Sequence, residues 1–465
     1  MSLLNFGSIA SSVNRGDHWM LTDASTGAYD EGASLIDSLG NIYLQRNNTL
    51  LKIDSDGNLL WKKDLNITLG IGVRILNARI ANNGDILFSG LIDAFDDIGV
   101  VTRISSSTGN SVWYKKLEVG MGIESFRSLA IESASGNYVY YISTRIIDTG
   151  DFNTAPRVPT IMKLNMSNGA LVWSKELAEP NGYRMYTNSG FSSGSDDLYL
   201  TGYYRFGDPT DANIGYLIKV NSSGTLQWQK KFERNDSGQY TKYLELDGVS
   251  INASGNIALS GSYRYDTSPV FGTAIYYSIL NTSGTQLSQT GIMADPIPTV
   301  NYPTYIPGAD MITDSSGNVY VYFTGYLDNG ESNQNTGYLI KFDGQTIEFC
   351  KNIYVGVDLG GTYTGIYQPG FYNGDIYFGI GGYLGGTPEV STFKVPDDGS
   401  KDGRYIANKH VMSYQEYPLT TYTAPVTMSS GSLLWRDLTE SLTVSDIGPS
   451  TATDSASVDI RIRRF

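Results

Sequence analysis

One phrase of about a dozen residues returns seven times along this chain, and a chain with such a repeat folds as copies of one unit. It reads Ser34-Leu-Ile-Asp-Ser-Leu-Gly-Asn-Ile-Tyr-Leu44, then Ala78-Arg-Ile-Ala-Asn-Asn-Gly-Asp-Ile-Leu-Phe88, then Ser128 to Tyr140. A looser copy follows at 190–202, further copies at 249–261 and 311–321, and one with a shortened turn at 371–379. A second phrase follows each first one. It begins as Leu50-Leu-Lys-Ile-Asp-Ser-Asp-Gly-Asn-Leu-Leu-Trp-Lys-Lys63 and returns at 101–116, 161–175, 217–231, 277–288 and 339–351, with a degraded seventh from Thr392. In the first four copies the turn glycine precedes a tryptophan by the same interval: Gly57 and Trp61, Gly109 and Trp113, Gly169 and Trp173, Gly224 and Trp228.

Both phrases are hairpins. Asn-Gly, Asp-Gly or Ser-Gly-Asn between alternating apolar runs marks a tight β-turn, because Gly and Asn accept the positive φ such turns need. The 52 glycines of the 465 residues supply those turns. Two hairpins give four antiparallel strands per repeat. One such sheet leaves two faces uncovered, and seven arranged in a ring cover one another. The fold class is therefore all-β: a seven-bladed β-propeller of four-stranded antiparallel blades, with a short strand-rich extension at the C terminus. Trp61, Trp113, Trp173 and Trp228 are expected to pack between the outer strands of neighbouring blades.

An open ring exposes two apolar blade faces, so a closing strand is required. His18-Trp-Met-Leu-Thr22 resembles an outer strand without its preceding strands. It is expected to complete the last blade, whose own outer strand near Tyr405 to Ala407 is poorly marked, with Trp19 taking the tryptophan position. The expected organisation is a lead segment at 1–16, the propeller at 17–415 and an extension at 416–465. That extension is rich in Ser and Thr and fits no repeat. Its end, Val458-Asp-Ile-Arg-Ile-Arg463, alternates as one strand, with Val458, Ile460 and Ile462 on one face. An unpaired strand seeks an edge, so the extension is expected to dock on the propeller rim or to join a neighbouring subunit.

Asp314-Ser-Ser-Gly-Asn-Val-Tyr-Val321, taken with Tyr216-Leu-Ile-Lys-Val-Asn-Ser-Ser-Gly-Thr-Leu-Gln-Trp-Gln-Lys-Lys231, resembles the quinoprotein-type repeat of seven-bladed propellers in bacterial and phage proteins. The resemblance covers residues 17 to 410 or so. It is also similar to repeats in tail-fibre-like virion proteins of phages. It implies the propeller fold and leaves the activity open, because propellers host unrelated functions.

Charge and composition narrow that choice. A formal net charge of −14 repels a phosphate backbone, so no nucleic-acid partner is expected. No apolar run approaches the ~20 residues of a membrane span, and Met1 to Gly7 does not read as a secretory signal. Cys350 is the single cysteine, which excludes an intrachain disulfide and a cysteine-rich metal site. His18 and His410 are the only histidines, too few for a histidine metal site and poorly placed for a hydrolytic triad. The adjacent acids Asp96-Asp97, Asp196-Asp197 and Asp397-Asp398 read as solvated turns. Asp54-Ser-Asp-Gly-Asn58 lacks the bidentate glutamate of a calcium loop, and its glycine-to-tryptophan interval differs from that of a sialidase Asp box. No catalytic residue, metal or cofactor is expected.

The remaining signal is aromatic. Tyr203, Tyr204, Tyr263, Tyr265, Tyr326 and Tyr383 end the second strands of their repeats and begin polar loops such as Arg205 to Asn213 and Asp328 to Thr336. Tyrosine offers a flat apolar face and a hydroxyl, suited to stacking on sugars or proteins. The functional expectation is a non-enzymatic bacteriophage virion protein, structural and adhesive, of tail-fibre or tail-component type. Its partners would be other virion proteins, in homo- or hetero-oligomers, and a host-surface glycan or protein. A cellular adhesin or lectin-like module is the first alternative, and a quinoprotein or glycosidase-type propeller enzyme the second.

Overall fold

A computed structural model describes residues 19–23, 33–46, 49–55, 57–64, 73–92, 98–119, 128–147, 155–181, 183–205, 213–234, 243–267, 270–294, 309–328, 333–357, 363–384, 387–400, 403–407, 410–416, 419–422, 424, 426–437, 442–446 and 460–464. They form seven antiparallel sheets in a ring: a seven-bladed β-propeller. Blade 1 is Ala33–Ile36, Ile42–Arg46, Thr49–Ile53 and Leu59–Asp64, called strands A to D from the centre outward. Blades 2 to 6 repeat that order over 73–119, 129–178, 184–234, 244–294 and 309–357. The strands alternate in direction, so the A–B and C–D turns share one face of the ring. The B–C and D–A connections share the other.

The turns are built by side chains that stand in for backbone. Asp37 accepts the N–H groups of Leu39 and Asn41, both at 2.9 Å, and the Tyr43 hydroxyl at 2.9 Å. Asn221, Asn281 and Asp314 accept backbone N–H groups in the same way in blades 4, 5 and 6. At the inner ring, β-bulges at Asn188 and Asp247 turn two polar side chains between blades. The Asn188 amide donates to Asp247 at 3.0 Å, and Asp247 accepts the Ala309 N–H of blade 6 at 3.1 Å. A buried carboxylate is tolerated there because donors from three blades converge on it.

Strand D of each early blade is stapled to the next blade. The indole N–H of Trp61 donates to the Ser106 carbonyl at 3.0 Å, that of Trp113 to Met166 at 2.7 Å, that of Trp173 to Ser222 at 3.2 Å and that of Trp228 to Thr282 at 3.2 Å. Every acceptor lies in the C–D turn of the following blade. In blades 1, 2 and 3 the cation paired with the tryptophan across the strands joins it: Lys52 reaches Ser106 at 3.0 Å, Arg103 reaches Met166 at 3.0 Å and Lys163 reaches Ser222 at 2.8 Å. The turn glycine of the next blade lies flat against the indole. A Cβ on Gly169, whose φ is +68°, would stand 2.9 Å from the Trp113 ring and 2.6 Å from Lys115. Both the backbone angle and the packing therefore require glycine. Trp113→Phe should cost about 1–2 kcal/mol in denaturant unfolding, since it strips a hydrogen bond from a 7 % exposed side chain and leaves a small void.

Blade 7 is closed by the chain's own beginning. Its strands Tyr363–Tyr372, Asp375–Leu384 and Thr387–Pro396 are followed outward by Trp19–Asp23, which pairs Trp19 with Lys394 and Asp23 with Val390. The Trp19 side chain lies outside the described residues. The stretch near Tyr405 to Ala407, expected as a poorly marked outer strand of the last blade, lies instead in Gly403–Ala407 on blade 6, paired with His410–Glu416. The segment added to the propeller thus starts before the expected boundary at 416.

From there the chain runs backward round the rim as a belt. His410–Glu416 adds to blade 6, Leu419–Tyr422 to blade 5, Val426–Ser430 to blade 4, Leu434–Asp437 to blade 3 and Leu442–Asp446 to blade 2. The last strand, Ile460–Arg464, pairs with Trp19–Asp23 on blade 7. The tail therefore lies on the rim of its own propeller. Ile460 and Ile462 face Asp23 and Leu21 across that pairing, while Val458 falls outside the described residues. Between strands the belt plugs the seams. Ala424 and Val426 enter the core shared by blades 4 and 5, and Leu433 enters that of blades 3 and 4. Gln229 holds Leu433 by both its N–H and its carbonyl, at 3.0 and 3.1 Å.

Cys350 lies on strand D of blade 6, 2 % exposed among apolar side chains, and burial pushes its thiol well above the usual range. Thiol-specific reagents should therefore label the native protein only as fast as the blade opens. Labelling at the rate of a free thiol would mean that this seam is loose.

Candidate functional site

The tyrosines expected to form a contact ring divide by burial. Tyr204 is 7 % exposed and Tyr263 fully buried, both within the core between blades, so they cannot meet a partner. Strand alternation sends them inward, and their polar neighbours in sequence gave no sign of it. Tyr203 is half-buried and stacks on Tyr186, with ring centroids 4.9 Å apart. The side chains of Tyr265, Tyr326 and Tyr383 lie outside the described residues, as do the middles of the loops they begin.

A different site lies on the turn face, where the repeat is broken. In blade 4 the C–D turn is closed by Asn221 N–H to the Thr225 carbonyl, and in blade 5 the A–B turn by Asn252 N–H to Asn256. In blade 3 the same turns close from Asn165 to Ala170 and from Ser133 to Tyr138, each one residue longer. The two lengthened turns lie side by side, joined by the Met166 N–H to the Asn137 carbonyl at 2.8 Å. Facing them across the blade seam is the A–B turn of blade 2, with Asn82 and Asn83. Between the two walls is an open groove of about 510 Å³, within the usual range for small-ligand sites.

Its floor is ionic and mostly committed. Arg103 lies 2.6 and 2.7 Å from one Asp85 oxygen and donates to the Met166 carbonyl. Glu132 accepts the Asn82 N–H at 2.6 Å through Oε2, and its Oε1 is turned toward Gly136. Burial raises the Glu132 carboxyl above the usual range, against the opposing pull of that hydrogen bond and of Arg103. Asn83 and Asn165 are engaged within their own turns. The side chains of Asn82 and Asn137 are exposed on opposite walls, and Tyr138 and Ser167 line the groove with them. Among the described residues no cluster of three or more His, Cys, Asp or Glu is arranged to hold a metal ion.

This groove was not legible as a site from the sequence. Its signal is the extra residue between Ser133 and Tyr138, compared with Ala81 and Asp85, and such slips look like ordinary drift in a repeat.

The blades and their turns make the chain a seven-bladed β-propeller. No protein-family model and no curated protein sequence matches the chain. Solved structures with a similar trace include a europium-containing methanol dehydrogenase, 10 % identical over 73 % of this chain and 74 % of that one, with a TM-score of 0.37. A Drosophila Plexin A, solved in complex with Semaphorin 1b, is 8 % identical over 82 % and 87 %, with a TM-score of 0.37. The phage phi92 endosialidase is 10 % identical over 84 % and 72 %, with a TM-score of 0.36.

Proposed function

We propose that this chain is a non-enzymatic structural and adhesive propeller of a bacteriophage particle, of tail-fibre or tail-component type. The observation that carries the reading is the belt. It ties five consecutive blades with strands from one continuous segment and ends on the N-terminal closing strand, so both ends of the chain lock the ring. Such a ring opens only after the rim is stripped, which suits a component that must persist outside a cell. The resemblance of the repeat to those of tail-fibre-like proteins points the same way. A cellular adhesin would share the polar groove on the turn face, and location separates the two.

The test is mass spectrometry of the purified source particle combined with electron cryo-microscopy. Stoichiometric copies of this chain in the particle density would support the reading. A chain recovered only free or on the cell envelope would overturn it in favour of the adhesin.

A further inference from the structure

We propose that the groove between blades 2 and 3 is a binding site for an uncharged, hydroxyl-rich saccharide. This rests on the adhesive half of the proposed function and names its ligand class. Three observations carry it. The A–B turn of blade 3, which closes from Ser133 to Tyr138 and is one residue longer than those of blades 1, 2, 5 and 6, lies at this groove beside the C–D turn of the same blade. The groups left to meet a ligand are the exposed carboxamides of Asn82 and Asn137, the half-exposed ring of Tyr138 and Glu132 Oε1, the Ser167 hydroxyl being spent on Asn165 at 2.7 Å. Carboxamide and carboxylate groups read vicinal hydroxyls by paired donor and acceptor bonds, and a tyrosine ring packs on the apolar face of a pyranose.

The charges decide between neutral and anionic sugars. Arg103 is held by Asp85 and a backbone carbonyl. Lys163 is held by the Ser222 carbonyl and lies 3.8 Å over the Tyr138 ring. Neither cation is left for a sulfate or a sialic-type carboxylate, and Glu132 adds an acid to a chain already at −14. A peptide would need an open strand edge or an apolar trough. The walls here are polar turns.

The test is titration of the intact protein with neutral gluco-, galacto- and manno-oligosaccharides and their sulfated counterparts, followed by saturation-transfer NMR. At least one neutral series should bind, its sulfated form more weakly. Asn137→Ala and Glu132→Gln should each weaken binding about tenfold, the scale of one lost polar contact. Ser223→Ala, in the corresponding turn of blade 4, should leave binding unchanged. A melting temperature kept in each variant separates lost contacts from lost fold. Failure of every neutral series to bind, stronger binding of the sulfated forms, or full binding by the Asn82→Ala/Asn137→Ala double variant would overturn the proposal. Chain found in particles without saccharide binding would sink this inference alone. Saccharide binding by a chain absent from particles would sink the virion reading alone.

Discussion

Glu176→Ala is expected to destabilise the propeller by about 3–5 kcal/mol, the cost of breaking a buried ion pair from one side. The Glu176 side chain is fully buried, and its Oε2 lies 2.7 Å from Arg145, whose side chain is 1 % exposed. Its Oε1 receives Arg436 from the belt. Removing the carboxylate leaves a guanidinium buried between strands B and D of blade 3 and releases the belt strand Leu434–Asp437 at the same time. The reciprocal change at the rim should be mild. Arg436 is 45 % exposed and Glu176 keeps its pairing with Arg145 when it is removed, so Arg436→Ala should cost about 1 kcal/mol or less. Denaturant unfolding of the two variants checks the contrast. Equal and small losses would mean that water reaches Arg145, and the blade 3 core would have to be redrawn as wet.

That pair also joins the part of the fold that the sequence makes legible to the part that it does not. The blades were legible because their information is local: a glycine or asparagine at a turn, alternation on either side, a tryptophan at a constant interval. Even the closing strand at Trp19–Asp23 could be anticipated, since it alternates like an outer strand and its repeat lacks one. The belt has none of these marks. Its strands are four to seven residues long, carry no turn glycine in common and pair with edges that lie from about fifty to more than four hundred residues back in the chain. What places them is distributed: Glu176 and Gln229 in blades 3 and 4, Leu433 and Val426 in the belt. Only the fold brings these together. The tyrosines illustrate the opposite error. Tyr204 and Tyr263 drew notice as aromatics beside polar loops, yet they are core residues. The groove between blades 2 and 3 is walled by an A–B turn that differs from its relatives by a single residue.

A chain that stops at Ser400 should still form blades, and it should lose them far faster. The truncation uncovers the seams filled by Leu433 and Val426, 7 % and 4 % exposed in the whole chain, and their burial alone is worth about 3–6 kcal/mol. It also removes the ion pairs Lys351–Glu416 and Lys175–Asp437 and frees the outer edges of blades 2 to 6. The belt joins parts of the ring only after the ring exists, because each strand needs a finished strand D to pair with. Contacts made that late are absent from the folding transition state, so their loss should fall on the unfolding rate and leave the folding rate nearly unchanged. The expected outcome is unfolding faster by about a hundred- to ten-thousandfold, at tenfold for each 1.4 kcal/mol. Stopped-flow unfolding of the whole and shortened chains in matched denaturant measures it. Equal unfolding rates would mean that the seven blades hold one another without help, leaving the belt as decoration on a ring already closed by Trp19–Asp23. A slowed folding rate would place the belt in the folding nucleus, with the ring assembled around its own tail.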